Sequence, residues 1–337
     1  MGFNTLILDV LEGKKVSKKP VWLMRQAGRY MPEYMAVRKK VSFLELCKTP
    51  ELACEVTLQP IDILGVDSAI LFSDILIPVE PMGVKLDFNP APYISNPIES
   101  LSDAQKLRVI EPENDVPFVI DTVKLLVKEL NVPLIGFSGA PFTLACYMVE
   151  GGGSKNFVKI KTLMHTEREA YNLLMDKITE STIKYLQAQI DHGCKIVQVF
   201  DTWAGIVSPR DYSELVFPYV KKIVDSLKGA HVIYFAKDSA TFYNKIKELD
   251  CAGIGVDWKI ELDEAAKLLD NKYVLQGNLD PVLLFTDRAT LEENIDLIFD
   301  KTKNVKGHIF NLGHGILPET PVENVKFLVD YVHSKEI

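Results

Sequence analysis

The sequence predicts an α/β protein built as one single-domain (β/α)8 TIM barrel over residues 1–337, with an active-site cleft at the C-terminal ends of the strands. Short β-branched or aromatic runs recur along the whole chain, each closed by polar residues or glycine and followed by a longer stretch of helical period. Such near-continuous apolar strands, alternating with helices, imply a parallel sheet buried on both faces. Eight of these units suffice to close the sheet on itself.

In order, the runs are Val21 to Met24, Ala69 to Phe72, Pro133 to Phe137, Ile196 to Phe200, Val232 to Phe235, Gly253 to Val256, Tyr273 to Leu275 and His308 to Phe310. Gaps are wide before the second, third and fourth runs and tight before the sixth and seventh, so some helices must be short. Even the tightest gap leaves about the dozen residues that a parallel crossover needs. Helix starts are visible at Ser208-Pro209-Arg210-Asp211 and Thr320-Pro321-Val322-Glu323, each with a hydroxyl N-cap, proline at N1 and an acid at N3. Thr49-Pro50 and Asp280-Pro281 open helices similarly, and Pro32 begins another. No composition shift, linker or internal repeat marks a second domain. The competing architecture is an open doubly wound sheet, but the G-x-G-x-x-G fingerprint of dinucleotide binding is absent.

Composition narrows the function classes. Hydrophobic residues at 47% and charged residues at 25% are the balance of a globular protein. A formal net charge of −8 argues against broad binding to nucleic acid or an anionic membrane, both of which need a cationic surface. The five cysteines contain no C-x-x-C pair, as expected for free thiols in a reducing compartment. Asp9 and Glu12 stand where a secretory signal would be basic and then apolar, and no run is long enough to span a membrane. The expectation is a cytoplasmic protein.

In a barrel, catalytic groups project from the C-terminal strand ends. Here the residues after the runs are polar: Arg25, Gln26 and Arg29, then Asp74, Ser138, Asp201 with Thr202, Lys237 with Asp238, Asp257, Asn278 with Asp280, and Asn311 with His314. Arg25 and Arg29 share one loop with Ala27 and Gly28, and Arg38 follows in the next helix. Guanidinium forks bind carboxylate or phosphate bidentately, so the loop suits a polyanion; alternatively these arginines pair with acids of neighbouring strand ends. Asp74 is a lone acid inside an apolar run, costly to desolvate without a partner. It is either half of an internal salt bridge or a fixed negative charge for a substrate that becomes positive. His314 lies between glycines that allow close backbone approach to a ligand, unless it is simply a loop residue.

Other motifs point less far. His192 and Cys194 carry zinc-ligand chemistry, but Asp191-His192-Gly193 reads as a helix end with glycine at C′, which puts the pair at the wrong face of the barrel. Gly151 to Gly153 lacks the Lys-Ser/Thr of a P-loop and reads as a mobile loop at a helix start.

Long, ordered motifs carry a resemblance across essentially the whole chain. The stretches Trp22 to Tyr34, Phe72 to Leu76, Gly136 to Leu144 with Tyr147 and the glycine run, Phe235 to Asp238, Leu275 to Pro281 and Asn311 to Gly315 are similar to those of uroporphyrinogen decarboxylases. The resemblance implies a (β/α)8 barrel, a homodimer, and conversion of uroporphyrinogen III to coproporphyrinogen III without cofactor or metal. It implies substrate contacts from Arg25, Gln26, Ala27, Gly28, Arg29, Arg38, Asp74, Tyr147, Thr202 and His314, with Arg25, Arg29, Asp74 and His314 in the chemistry. Thr202 stands in Phe200-Asp201-Thr202-Trp203, where the family pattern often has serine, so the hydroxyl is kept. The proton donor stays open between His314, an arginine and an arginine-bound water. The nearest rival, a corrinoid-dependent methyltransferase, would need a His-x-Cys zinc pair where this chain has Phe235-Ala236-Lys237-Asp238.

Overall fold

Seven parallel strands curl in one continuous sheet, and an eighth stave closes it through a single residue. The computed structural model describes residues 2–88 and 91–336. Its strands are β1 (Ala69–Ile70), β2 (Leu86–Phe88), β3 (Pro92–Ile94), β4 (Leu134–Gly139), β5 (Ile196–Asp201), β6 (His231–Ala236), β7 (Gly253–Gly255), β8 (Val274–Leu279) and β9 (His308–Leu312). The order in the large sheet is β1-β4-β5-β6-β7-β8-β9, every pairing parallel. Helices fill the crossovers, among them Pro50–Leu64, Pro117–Glu129, Arg168–Asp191, Arg288–Lys301 and Val322–Ser334. One contiguous core links both sides of the sheet, as a barrel requires.

The expected first strand, Val21 to Met24, needs correction. Only Val21 pairs with Phe310, in a lone parallel bridge. Beyond it, side chains take the N–H groups that a ladder would have used: Leu23 N–H donates to Gln26 Oε1 at 3.1 Å and Met24 N–H to Asn311 Oδ1 at 3.0 Å. On the other side of the seam, Asp67 N–H donates to Val21 O at 2.8 Å, and Val21 N–H returns to Asp67 Oδ2 at 2.8 Å. Asp67 is buried and also accepts from Asn4 Nδ2 at 2.9 Å and meets His333 Nε2 at 2.7 Å. One carboxylate therefore clasps the N-terminal segment, the closing stave and the C-terminal helix.

Inside the barrel, Trp22 Nε1–H donates to Gln276 Oε1 at 3.0 Å, and Gln276 Nε2–H donates to Gln198 Oε1 at 3.0 Å. Since β5 and β8 are not neighbours, this chain crosses the interior and braces opposite walls.

Other expectations shift at their edges. The second run stops pairing after Leu71, because Phe72 N–H turns to Thr57 Oγ1 at 3.1 Å. The β2–β3 hairpin is an addition to the expected elements. Gly151 to Gly153 do not open a helix: Gly151, at φ +82°, ends the helix Pro141–Glu150, and Gly152 bridges to Tyr93. Ser208 caps as expected, accepting from Asp211 N–H, and Gly193 ends the long helix at φ +126°. Thr320 does not cap: Pro321 holds the N-cap position, and the Thr320 hydroxyl is buried without a partner among the described residues. Asp280 does cap, but the segment it opens, Pro281–Phe285, is a 3-10 turn.

Candidate active site

At the end of β1 the chain leaves the sheet and Asp74 Oδ1 accepts the Leu76 N–H at 2.9 Å, which fixes the carboxyl by its own turn. Oδ2 has no partner among the described residues. The residue is half-buried at the end of β1, and its carboxyl is desolvated. Burial pushes its pKa up; the Leu76 N–H and the positive charge of Arg25 pull the other way.

Arg25, in the loop after the closing stave, lies near enough for its charge to act on that carboxyl. Its φ of +65° places a non-glycine residue in the left-handed region, a strain that recurs at functional sites. Gln26 N–H on Leu23 O at 2.9 Å and Met31 N–H on Gly28 O at 3.0 Å tighten the loop around it. A side chain at 28 would come within 2.9 Å of Arg25 O, so only glycine fits there.

The Gln26 side chain turns inward. Oε1 accepts from Leu23 N–H, Nε2 donates to Ser68 O at 3.0 Å, and the Gln26 carbonyl accepts the Tyr30 hydroxyl at 2.6 Å. Its polar groups are committed to shaping the loop.

His314 follows β9, half-buried, with the Phe235 ring 6.1 Å from its own. Burial first, then the charges of Arg25 and Lys237, pull its pKa down to about 4. The ring is neutral at pH 7. Lys237 pairs with Asp238 at 3.0 Å, and Lys259 pairs with the same carboxylate.

Arg29 is exposed at the rim, and Arg38, at the end of the helix Pro32–Arg38, rests on Val41 O and lies 5.8 Å above the Phe43 ring. Both act on the buried phenol of Tyr34, whose ring is 5.7 Å from Phe72. The arginine ion pairs among the described residues are Arg108 with Asp115 and Arg210 with Glu214. Arg25, Arg29 and Arg38 thus have no carboxylate partner there, and the internal salt-bridge alternative fails for them and for Asp74.

The third wall joins β5 to the helix Pro141–Glu150. Tyr147 is half-buried, its phenol raised mainly by burial and touched by the charges of both Asp74 and Arg25. Its ring lies 6.2 Å from that of Trp203, which packs at 4.8 Å on Phe157. Thr202 is half-buried beside it, its hydroxyl without a partner among the described residues. The structure thus gathers Arg25, Asp74, Tyr147 and His314 at one mouth and sets Arg29 and Arg38 on its flank. Trp203, Tyr34 and Phe235 lie inside the matching motifs but are not singled out as site residues there; aromatics in apolar runs carry no signal separating a pocket wall from core.

A groove of about 480 Å³ lined by Glu33, Lys40, Glu55 and Asp62 lies between outer helices and holds none of these groups. Among the described residues no three of His, Cys, Asp and Glu converge as metal ligands would. Cys194 is buried, and His192 Nδ1 sits 2.8 Å from the Ala188 carbonyl at the helix end.

Comparison with known proteins agrees with the motifs. The family model described as uroporphyrinogen decarboxylase (URO-D) matches residues 3–335. Proteins named uroporphyrinogen decarboxylase from Trichlorobacter lovleyi and Geobacter metallireducens are each 53% identical over 334 residues, 98% of either chain. Among solved structures, a methyltransferase from Methanosarcina mazei superposes with a TM-score of 0.82 over 99% of both chains at 19% identity, a likeness of fold alone. With a family match over nearly its full length and relatives above half identity, the chain belongs to the uroporphyrinogen decarboxylase family.

Proposed function

We propose that this protein removes CO₂ from the four acetate side chains of uroporphyrinogen III to give coproporphyrinogen III in tetrapyrrole biosynthesis. The observation that carries the proposal is a desolvated Asp74 carboxyl with no ion pair, under the charge of Arg25, with Arg29 and Arg38 nearby and likewise without a carboxylate partner among the described residues. A substrate with carboxylates around its edge and N–H groups at its centre is the complement of that arrangement.

Direct loss of CO₂ would leave a carbanion on an electron-rich pyrrole. The ring must first take a proton on carbon, and the resulting cation accepts the electrons of the breaking C–C bond. Asp74, whose Oδ2 has no hydrogen-bond partner among the described residues, gathers the pyrrole N–H groups and stabilises that cation in a poorly hydrated setting. Arg25, Arg29 and Arg38 receive the peripheral carboxylates, and Arg25, nearest Asp74, also limits the rise of its pKa. Tyr147, Thr202 and the loop backbone at Ala27 and Gly28 complete the walls. His314, neutral at physiological pH, serves as a hydrogen-bond partner and relay. With its pKa near 4 it is a poor store for the proton that the ring must receive.

The same reading makes the protein a cytoplasmic homodimer that needs no cofactor. Anaerobic incubation of the purified protein with uroporphyrinogen III, followed by chromatography of the oxidised products, tests the activity. Porphyrins with progressively fewer carboxylates, ending in coproporphyrin, are expected; unchanged substrate would refute the assignment.

A further inference from the structure

The side chain just before Thr202 and the backbone N–H just after it converge on one hydroxyl. Thr143 Oγ1 donates to Asp201 Oδ1 at 2.7 Å and accepts the Trp203 N–H at 3.1 Å. Thr143 belongs to the helix Pro141–Glu150, one turn ahead of Tyr147. The contact therefore ties two separate elements of the pocket wall, the turn after β5 and the helix carrying Tyr147, at a common point.

A second donor orders the rest. Tyr234 Oη on β6 donates to Asp201 Oδ2 at 2.9 Å, and Tyr212 Oη lies 3.1 Å from Tyr234 Oη. With its own proton on Asp201, Tyr234 can only accept from Tyr212, so the chain has one direction. Asp201, Thr143, Tyr212 and Tyr234 are all fully buried, and among the described residues no cation pairs with the carboxylate.

We propose that Asp201 and Thr143 are positioning residues, a buried pair that sets the spacing between Thr202 and the Tyr147–Trp203 wall and so the fit of the substrate. A buried carboxylate without a cation is expensive to keep. Burial raises the Asp201 pKa to about 6, and the two hydroxyl donors hold it down, leaving it ionised at pH 7 and able to accept from both. An apolar pair would pack the same space at lower cost, but it would not orient a hydroxyl toward the Trp203 N–H.

The inference rests on the activity proposed above, and the test keeps the two apart. Thr143→Val preserves shape and removes the hydroxyl; Thr143→Ser restores it. With uroporphyrinogen III as substrate, Thr143→Val should raise KM about 10-fold with kcat within about 3-fold, the scale of a misplaced binding wall. Thr143→Ser should return KM to within about 2-fold of the parent. An unchanged KM in Thr143→Val, or equal impairment in both variants, overturns the positioning role. If Thr143→Val does not fold, Asp201→Asn takes its place, since it keeps the volume but turns a donor toward Thr143 or Tyr234, and an unchanged KM there overturns the role equally. Absence of turnover in the parent protein would instead sink the activity itself.

Discussion

Gly315 lies against the side chain of Arg25: a β-carbon at position 315 would fall 2.5 Å from Arg25 Cδ and 2.9 Å from Cγ. The last strand loop and the first thus fit together only because one of them lacks a side chain. Gly315→Ala should displace the Arg25 side chain and lower kcat/KM roughly 10-fold or more, as small misplacements of a binding group do. Steady-state kinetics would show it, with the circular dichroism spectrum unchanged.

Asp74→Asn keeps the side-chain volume and removes its charge. It should lower kcat by roughly 10²-fold, the scale of losing one preorganised electrostatic stabiliser. Near-normal turnover by the purified variant would remove Asp74 from the chemistry.

His314 should titrate by NMR near pH 4, well below its ordinary 6.5. As pH falls from about 6.5 to about 4, the unfolded chain takes up a proton that the folded ring refuses, so stability declines through that window. His314→Gln removes this term. Between those pH values the variant should lose less stability than the parent in urea unfolding, and parallel losses would contradict the buried, neutral ring.

Asp67→Ala removes the clasp between the closing stave and the C-terminal helix, leaving Val21 N–H and His333 without their acceptor. The expected loss is about 3 kcal/mol, that of breaking a buried, multiply bonded carboxylate. The urea midpoint reads it directly, and turnover at low temperature should persist.

Much of the site was legible because barrel architecture turns position into function: a residue that follows an apolar run lies at the mouth. Asp74, Arg25 and His314 could be picked out on that rule, since each breaks the chemistry of its surroundings. Gln26 passed the same filter, but its side-chain amide is bonded inside the protein. A glutamine after a strand looks alike whether its amide faces a ligand or the neighbouring carbonyl of Ser68. Asp201 shows the converse: at a strand end, yet its carboxylate is turned into the wall by Thr143 and Tyr234.

The amino-acid order alone determined the repeating strand and helix units, the barrel they close into, and the polar residues presented at its open end, because periodicity and turn chemistry are local properties. Only the folded chain decided that one bridge at Val21 closes the cylinder, that Arg25 forms no ion pair among the described residues, and that a threonine hydroxyl locks the turn after β5. Those outcomes depend on residues far apart in sequence competing for the same few hydrogen-bond partners, a contest that no local pattern records.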